Sequence, residues 1–120
     1  MLNDTVKSVL ASEGPATFVT TGSEGPHLAA TWQSYIEVID EETLLFPAGG
    51  YRQTEANVNA GSALQLILGG HVNGKGLGFR LTGTAEFQTG TPLYERVHGR
   101  FPWSRAAVVL HVTRVEKVLG

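Results

Sequence analysis

The sequence predicts a mainly β protein: an antiparallel sheet closed into a barrel, with about three short helices at its connections. Three observations lead there. Glycine supplies 15 of the 120 residues, well above an average near about 7% and without repeat spacing, which implies many tight turns and so many strands. Leu77, Phe79, Leu81, Gly83, Ala85 and Phe87 alternate with Gly78, Arg80, Thr82, Thr84, Glu86 and Gln88, the period of a long strand with one wet face. The connections between strand patterns are mostly too short for parallel crossovers, so neighbours run antiparallel. That many strands in a small chain close best as a barrel.

The elements follow in order. Leu2, Val6, Val9 and Leu10 fall on one face of a helix over residues 2–13, with Asn3 or Asp4 as its cap and Gly14-Pro15 as its end. Residues 16–21 read as a strand and 22–26 as a turn. Residues 27–33 and 35–40 read as extended, and Glu41-Glu42 turns the chain into a strand over 43–46 that Pro47 breaks. A helix over 52–60 ends at Gly61. A strand over 63–68 and a glycine-rich hairpin loop over 69–76 precede the long alternating strand. Thr91-Pro92 is a cap followed by proline at the first helical position, and Gly99 closes that helix. The last strand, 105–115, puts Ala106, Val108, Leu110 and Val112 on one face. No repeat, low-complexity tract or boundary divides the chain, so residues 1–120 form a single domain.

Composition excludes several classes. There is no cysteine, hence no disulfide, zinc–thiolate or iron–sulphur chemistry, and any redox activity needs a bound cofactor. Nine Lys+Arg against eleven Asp+Glu give a net charge of −2, which argues against nucleic acid as a partner. No apolar run approaches the roughly 20 residues of a membrane span. No basic segment followed by an apolar one opens the chain, so a cytoplasmic protein is expected.

Most motif candidates dissolve on inspection. Gly69, Gly74 and Lys75 have P-loop spacing, but Gly76 replaces the required Ser/Thr and a strand pattern replaces the helix. Glu95 and His98 have the spacing of a di-iron ligand pair without its second copy, so no metal site is expected. No catalytic acid, base or nucleophile declares itself either. Glu13 continues an apolar helix face, and on its own reads more readily as a solvated last-turn residue. At Gly49-Gly50-Tyr51-Arg52-Gln53-Thr54 a strand ends and a helix begins. That is either a turn with an ordinary Thr cap or an anion site built from free N–H groups, Arg52 and the Thr54 hydroxyl. Thr31-Trp32-Gln33-Ser34-Tyr35 and Trp103 place large aromatics among polar residues, as core or as a ligand stack.

Taken together, several segments resemble one family. They are Gly25-Pro26-His27-Leu28, Thr31-Trp32 with Ser34-Tyr35, Pro47, Gly49-Gly50, Thr54-Glu55-Ala56-Asn57-Val58, and Arg100-Phe101 with Trp103 and Arg105-Ala106-Ala107. In order and spacing, from Met1-Leu2 to Leu119, the chain is similar to the small bacterial FMN-binding members of the split-barrel flavoproteins related to pyridoxamine 5′-phosphate oxidase. The resemblance implies a six-stranded antiparallel split β-barrel, one FMN per subunit, and a homodimer with flavin sites near its interface. It implies that Thr54 binds the phosphate, and that Thr31, Trp32, Gln33 and the backbone of Pro47 to Gly50 line the ribityl chain and ring. Ser34 lies within that segment. Tyr35 flanks the ring, Trp103 and the partner's Leu119 approach it, and Glu13 is its acidic neighbour.

Three substitutions mark this chain. Gln53 replaces the family's Lys before the phosphate Thr, and Arg52 its His, so the phosphate charge falls to Arg52. Ala30 stands in place of Asn, which removes one ribityl hydrogen bond. The expected function is non-covalent FMN binding with electron transfer to a redox partner protein, either as a carrier or as a flavin reductase or oxidase-like enzyme. The alternative is a redox-inactive module that sequesters a phosphorylated or haem-like ligand.

Overall fold

The computed structural model describes all 120 residues. Helix α1 (Asp4–Leu10) is shorter than the pattern predicts. Asn3 caps it, its Oδ1 accepting from the Val6 N–H at 3.0 Å, and Val6, Val9 and Leu10 are buried. Strands β1 (Pro15–Gly22) and β2 (Gly25–Trp32) form a hairpin through Ser23-Glu24. One 3-10 turn, Gln33–Tyr35, leads to β3 (Glu37–Asp40) and β4 (Thr43–Ala48). Then come α2 (Arg52–Asn59), β5 (Leu64–Val72), β6 (Lys75–Gln88), α3 (Pro92–Arg100) and β7 (Ala106–Leu119).

The seven strands make one antiparallel sheet in the order β2-β1-β5-β6-β7-β4-β3. Seven agrees with the pattern read along the chain and exceeds the six implied by the resemblance. The sheet is curled into a barrel. β5, β6 and β7 lie between β1 and β4, which in a flat sheet would separate them by about 19 Å at the usual strand spacing. Yet the rings of Phe18 on β1 and Phe46 on β4 are 5.5 Å apart, centre to centre. Both belong to one core with Leu64, Leu66, Leu68, Leu81 and Leu110.

Three local expectations are corrected. Pro47 does not end its strand: β4 runs on to Ala48, with Pro47 opposite Ala107. β3 pairs with β4 only as far as Leu45, so β4 has one open side at Pro47 and its missing N–H is tolerated there. The loop over 69–76 shrinks to two residues, Asn73 and Gly74, with φ of 53° and 77°. That is the twisted hairpin turn favoured by Asn-Gly. Finally, residues 106–110 are all buried. Ala106, Val108 and Leu110 face the barrel core, while Ala107 and Val109 pack with Val97 of α3 and Leu45, because α3 covers the outer face of β7 at that point.

Candidate functional site

At one end of the barrel, where β2 finishes, α2 starts and the segment after α3 returns, lies a cleft of about 280 Å³. Its walls are Pro15, Ala30, Thr31, Trp32, Tyr35, Tyr51 and Trp103. The aromatics come from three distant stretches of chain. Tyr35 packs tilted against Phe101 at 4.7 Å and Trp103 at 6.0 Å. Trp32 and Trp103 remain 50% and 55% exposed, a large apolar cost to leave in water beside a concave surface. Gly49 lies directly beneath the Trp103 ring: a Cβ there would stand 3.2 Å from two of its carbons. Its lack of a side chain therefore serves the aromatic wall.

The second half of the site is the start of α2. Tyr51 occupies the cap position with φ 62° and offers no side-chain cap. The first-turn N–H groups of Arg52, Gln53 and Thr54 thus have no helical carbonyl to bond. Thr54 is completely buried and its hydroxyl has no hydrogen-bond partner. Because the side chain is enclosed, that hydroxyl reaches a ligand only if its χ1 turns or the first turn shifts. Arg52 is exposed and makes no ion pair. Gln53 is exposed and donates to Asn57 Oδ1 at 2.8 Å. Beside it, a polar recess of about 250 Å³ includes His27 and Asn57.

The structure gathers Thr31, Trp32, Tyr35 and Trp103 around one cleft with Gly49 beneath Trp103; of the turn from Gly50 to Thr54 only Tyr51 lines it, and Gln53 lines the neighbouring polar recess. It separates others from the cleft. Gln33 is 1% exposed. Its Nε2 donates to the carbonyls of Val9 (3.1 Å) and Ser12 (2.7 Å), and its Oε1 accepts from the Gly69 N–H at 2.9 Å. The expectation that its side chain lines a ligand is therefore corrected: it ties α1 to β5. Ser34 is exposed outside the cleft, and its carbonyl accepts from Arg100 at 3.4 Å. Pro47 is buried within β4. Glu13 is exposed, two residues before the cleft wall at Pro15, and accepts from the Gly14 N–H at 3.0 Å. Leu119 is 60% exposed opposite Gly78, at the far end of β7 from Ala106, so within one subunit it stands away from the cleft.

Two residues missed in the sequence matter here. Tyr51 lines the cleft, donates its hydroxyl to the Ala30 carbonyl and sets its ring edge-on to Phe18 at 5.1 Å. Burial pushes its phenol pKa up, and the Thr31 hydroxyl beside it acts in the opposite direction. Arg105 donates twice to the Gly50 carbonyl, at 2.9 and 2.7 Å. An aromatic between Gly-Gly and a helix was the available signal for Tyr51; Arg105 stood in a segment that carries the resemblance, but nothing local gave it a role.

A curled antiparallel sheet with an aromatic cleft at one end and an uncapped helix start beside it is the architecture of a split-barrel protein. The comparisons then place it. The family model described as pyridoxamine 5′-phosphate oxidase matches residues 2–119, and the chain belongs to that family. It is 41% identical over 123 residues to the FMN-binding protein of Nitratidesulfovibrio vulgaris, a match covering 99% of this chain and all of that one. Among solved structures, HupZ of Group A Streptococcus superposes with a TM-score of 0.82 at 22% identity, over 100% of this chain and 96% of that one. A protein from Lactobacillus delbrueckii, described as a putative pyridoxamine 5′-phosphate oxidase, gives 0.76 at 17% identity over 96% and 93%. These two likenesses concern the fold.

Proposed function

We propose that this protein binds FMN non-covalently at the aromatic cleft and the start of α2, and acts as a redox protein. The observation that carries the reading is the buried Thr54 hydroxyl without a partner, in a first turn whose N–H groups are free. Buried polar groups are nearly always paired, and a helix start with free N–H groups favours an anion. The 41% identical relative, an FMN-binding protein, supports the same assignment.

When bound, FMN supplies the electron or hydride chemistry. The chain's own residues bind and shield it. Trp32, Tyr35 and Trp103 keep water from the ring by apolar contact. The N–H groups of residues 52–54 and the Thr54 hydroxyl donate to the phosphate, and Arg52 supplies the charge that Gln53 lacks. The proposal includes a homodimer, in which Leu119, exposed and away from its own cleft, would approach the cleft of a second copy as the resemblance implies. It also includes a redox partner protein and a cytoplasmic setting; no helix is long and apolar enough to cross a membrane.

The test is the visible spectrum of the purified protein, with the released chromophore identified by mass. Flavin absorption with the mass of FMN supports the reading. A colourless protein that ignores added FMN overturns it, and uptake of haem instead would favour the sequestering module. Oxidation of NADH or NADPH separates a reductase from a carrier. Thr54→Val sharpens the assignment through two opposite effects. Removing an unpaired buried hydroxyl should stabilise the ligand-free protein by about 1 kcal/mol, while FMN binding should weaken by about 1–3 kcal/mol. An unchanged FMN affinity removes Thr54 from the site.

A further inference from the structure

Arg105 is the first side chain before β7 and lies outside the cleft, yet three of its contacts converge on the start of α2, and two more tie it to β4 and β6. Its Nε and Nη2 both donate to the Gly50 carbonyl. Its Nη2 stands 2.9 Å from Glu55 Oε1, in the first turn of α2. Its own N–H donates to the Ala48 carbonyl at 2.8 Å, and its guanidinium lies over the Phe87 ring at 5.5 Å. Arg105 and Glu55 side chains are only 21% and 28% exposed, so water screens the pair less than an open surface pair.

We propose that Arg105 is a positioning residue for the anionic end of the ligand, and this rests on the function proposed above. It performs two tasks. By gripping the Gly50 carbonyl it holds the turn that puts Tyr51 at φ 62°, a backbone region a bulky residue occupies only when its surroundings enforce it. That turn aims the Tyr51 hydroxyl at Ala30 and leaves the helix start uncapped. By pairing with Glu55 it also cancels a carboxylate in the turn that is to receive a phosphate. The Glu55 charge by itself suits a helix start, but next to a bound anion it repels. Arg52 is then left free to meet the ligand, since Arg105 is already committed to Gly50 and Glu55.

The experiment compares FMN with riboflavin, which lacks the phosphate, on wild type, Arg105→Gln, Glu55→Gln and the double variant, with far-UV circular dichroism as the fold control. Arg105→Gln should weaken FMN about tenfold, as expected for losing charge-assisted contacts, and riboflavin far less. Glu55→Gln alone should bind FMN as tightly as wild type or tighter, and the double variant should recover much of the tenfold loss. Equal losses for both ligands, a double variant no better than Arg105→Gln, or weaker FMN binding by Glu55→Gln would overturn the proposal. A ligand-free readout separates it from the function itself. The Tyr51 phenol, followed by ultraviolet titration against a Tyr51→Phe control, should titrate nearer the ordinary tyrosine value in Arg105→Gln. An unmoved Tyr51 titration refutes the positioning role even if wild type binds no flavin, and a wild type that ignores FMN refutes the function alone.

Discussion

Gln33→Met tests the inward role of a residue whose neighbours in sequence all suggested a ligand site. The methionine keeps length and apolar volume but removes three hydrogen bonds. The Gly69 N–H loses its acceptor at 2.9 Å, and the Ser12 carbonyl loses its donor at 2.7 Å. The Val9 carbonyl suffers less, because it also accepts from the Ser12 N–H at 3.0 Å. Two orphaned groups at about 1–1.5 kcal/mol each and a weaker third sum to roughly 3 kcal/mol, partly offset by no longer burying an amide. The expected net loss is about 2–3 kcal/mol. Urea unfolding followed by circular dichroism measures it: at about 1.5 kcal/mol per molar, the midpoint falls by roughly 1.3–2 M with an unchanged slope. A loss below about 0.5 kcal/mol refutes the reasoning. So does a tenfold loss of FMN affinity at full stability, which would return the side chain to the site.

Two further outcomes follow from single positions. Burial raises the Tyr51 phenol pKa in the folded protein, so the unfolded chain ionises first. The stability contribution is whole below about pH 10 and is lost as pH rises through the higher folded value; thermal midpoints at pH 9 and pH 11 should converge for Tyr51→Phe relative to wild type. Gly83→Ala would drive its Cβ to 2.0 Å from the His111 carbonyl oxygen, a backbone atom. It should cost more than about 3 kcal/mol or prevent folding; ordinary expression with a wild-type melting temperature contradicts the close β6–β7 approach.

Much of the scaffold is legible in the chain because it is encoded locally. The alternation over residues 77–88 fixes one face of β6, and Thr91-Pro92 announces α3, whose Thr91 hydroxyl accepts from the Tyr94 N–H. Asn73-Gly74 carries the turn chemistry that makes the β5–β6 connection a two-residue hairpin, a signal hidden by the surrounding glycines. β7 is less legible: period two reports a face only when the other face is wet, and between residues 106 and 110 the core dries one face and α3 the other.

The site divides along the same line. Trp32, Tyr35, Trp103 and Thr54 stand out in sequence as residue types suited to a flavin or another phosphorylated aromatic ligand. The meeting of the three aromatics depends on the curl that brings β1 against β4 and on the return of the chain after α3. Those are contacts between residues tens of positions apart, and no local period specifies them. The same tertiary packing turns Gln33 inward, places Trp103 over Gly49, recruits Tyr51 and Arg105, and sends Leu119 to the far end of β7. Sequence alone determined strands, turns and a cysteine-free chain that needs a cofactor for any redox chemistry. The tertiary structure decided which side chains share a cleft, because adjacency across a curled sheet is set by strand order and not by distance along the chain.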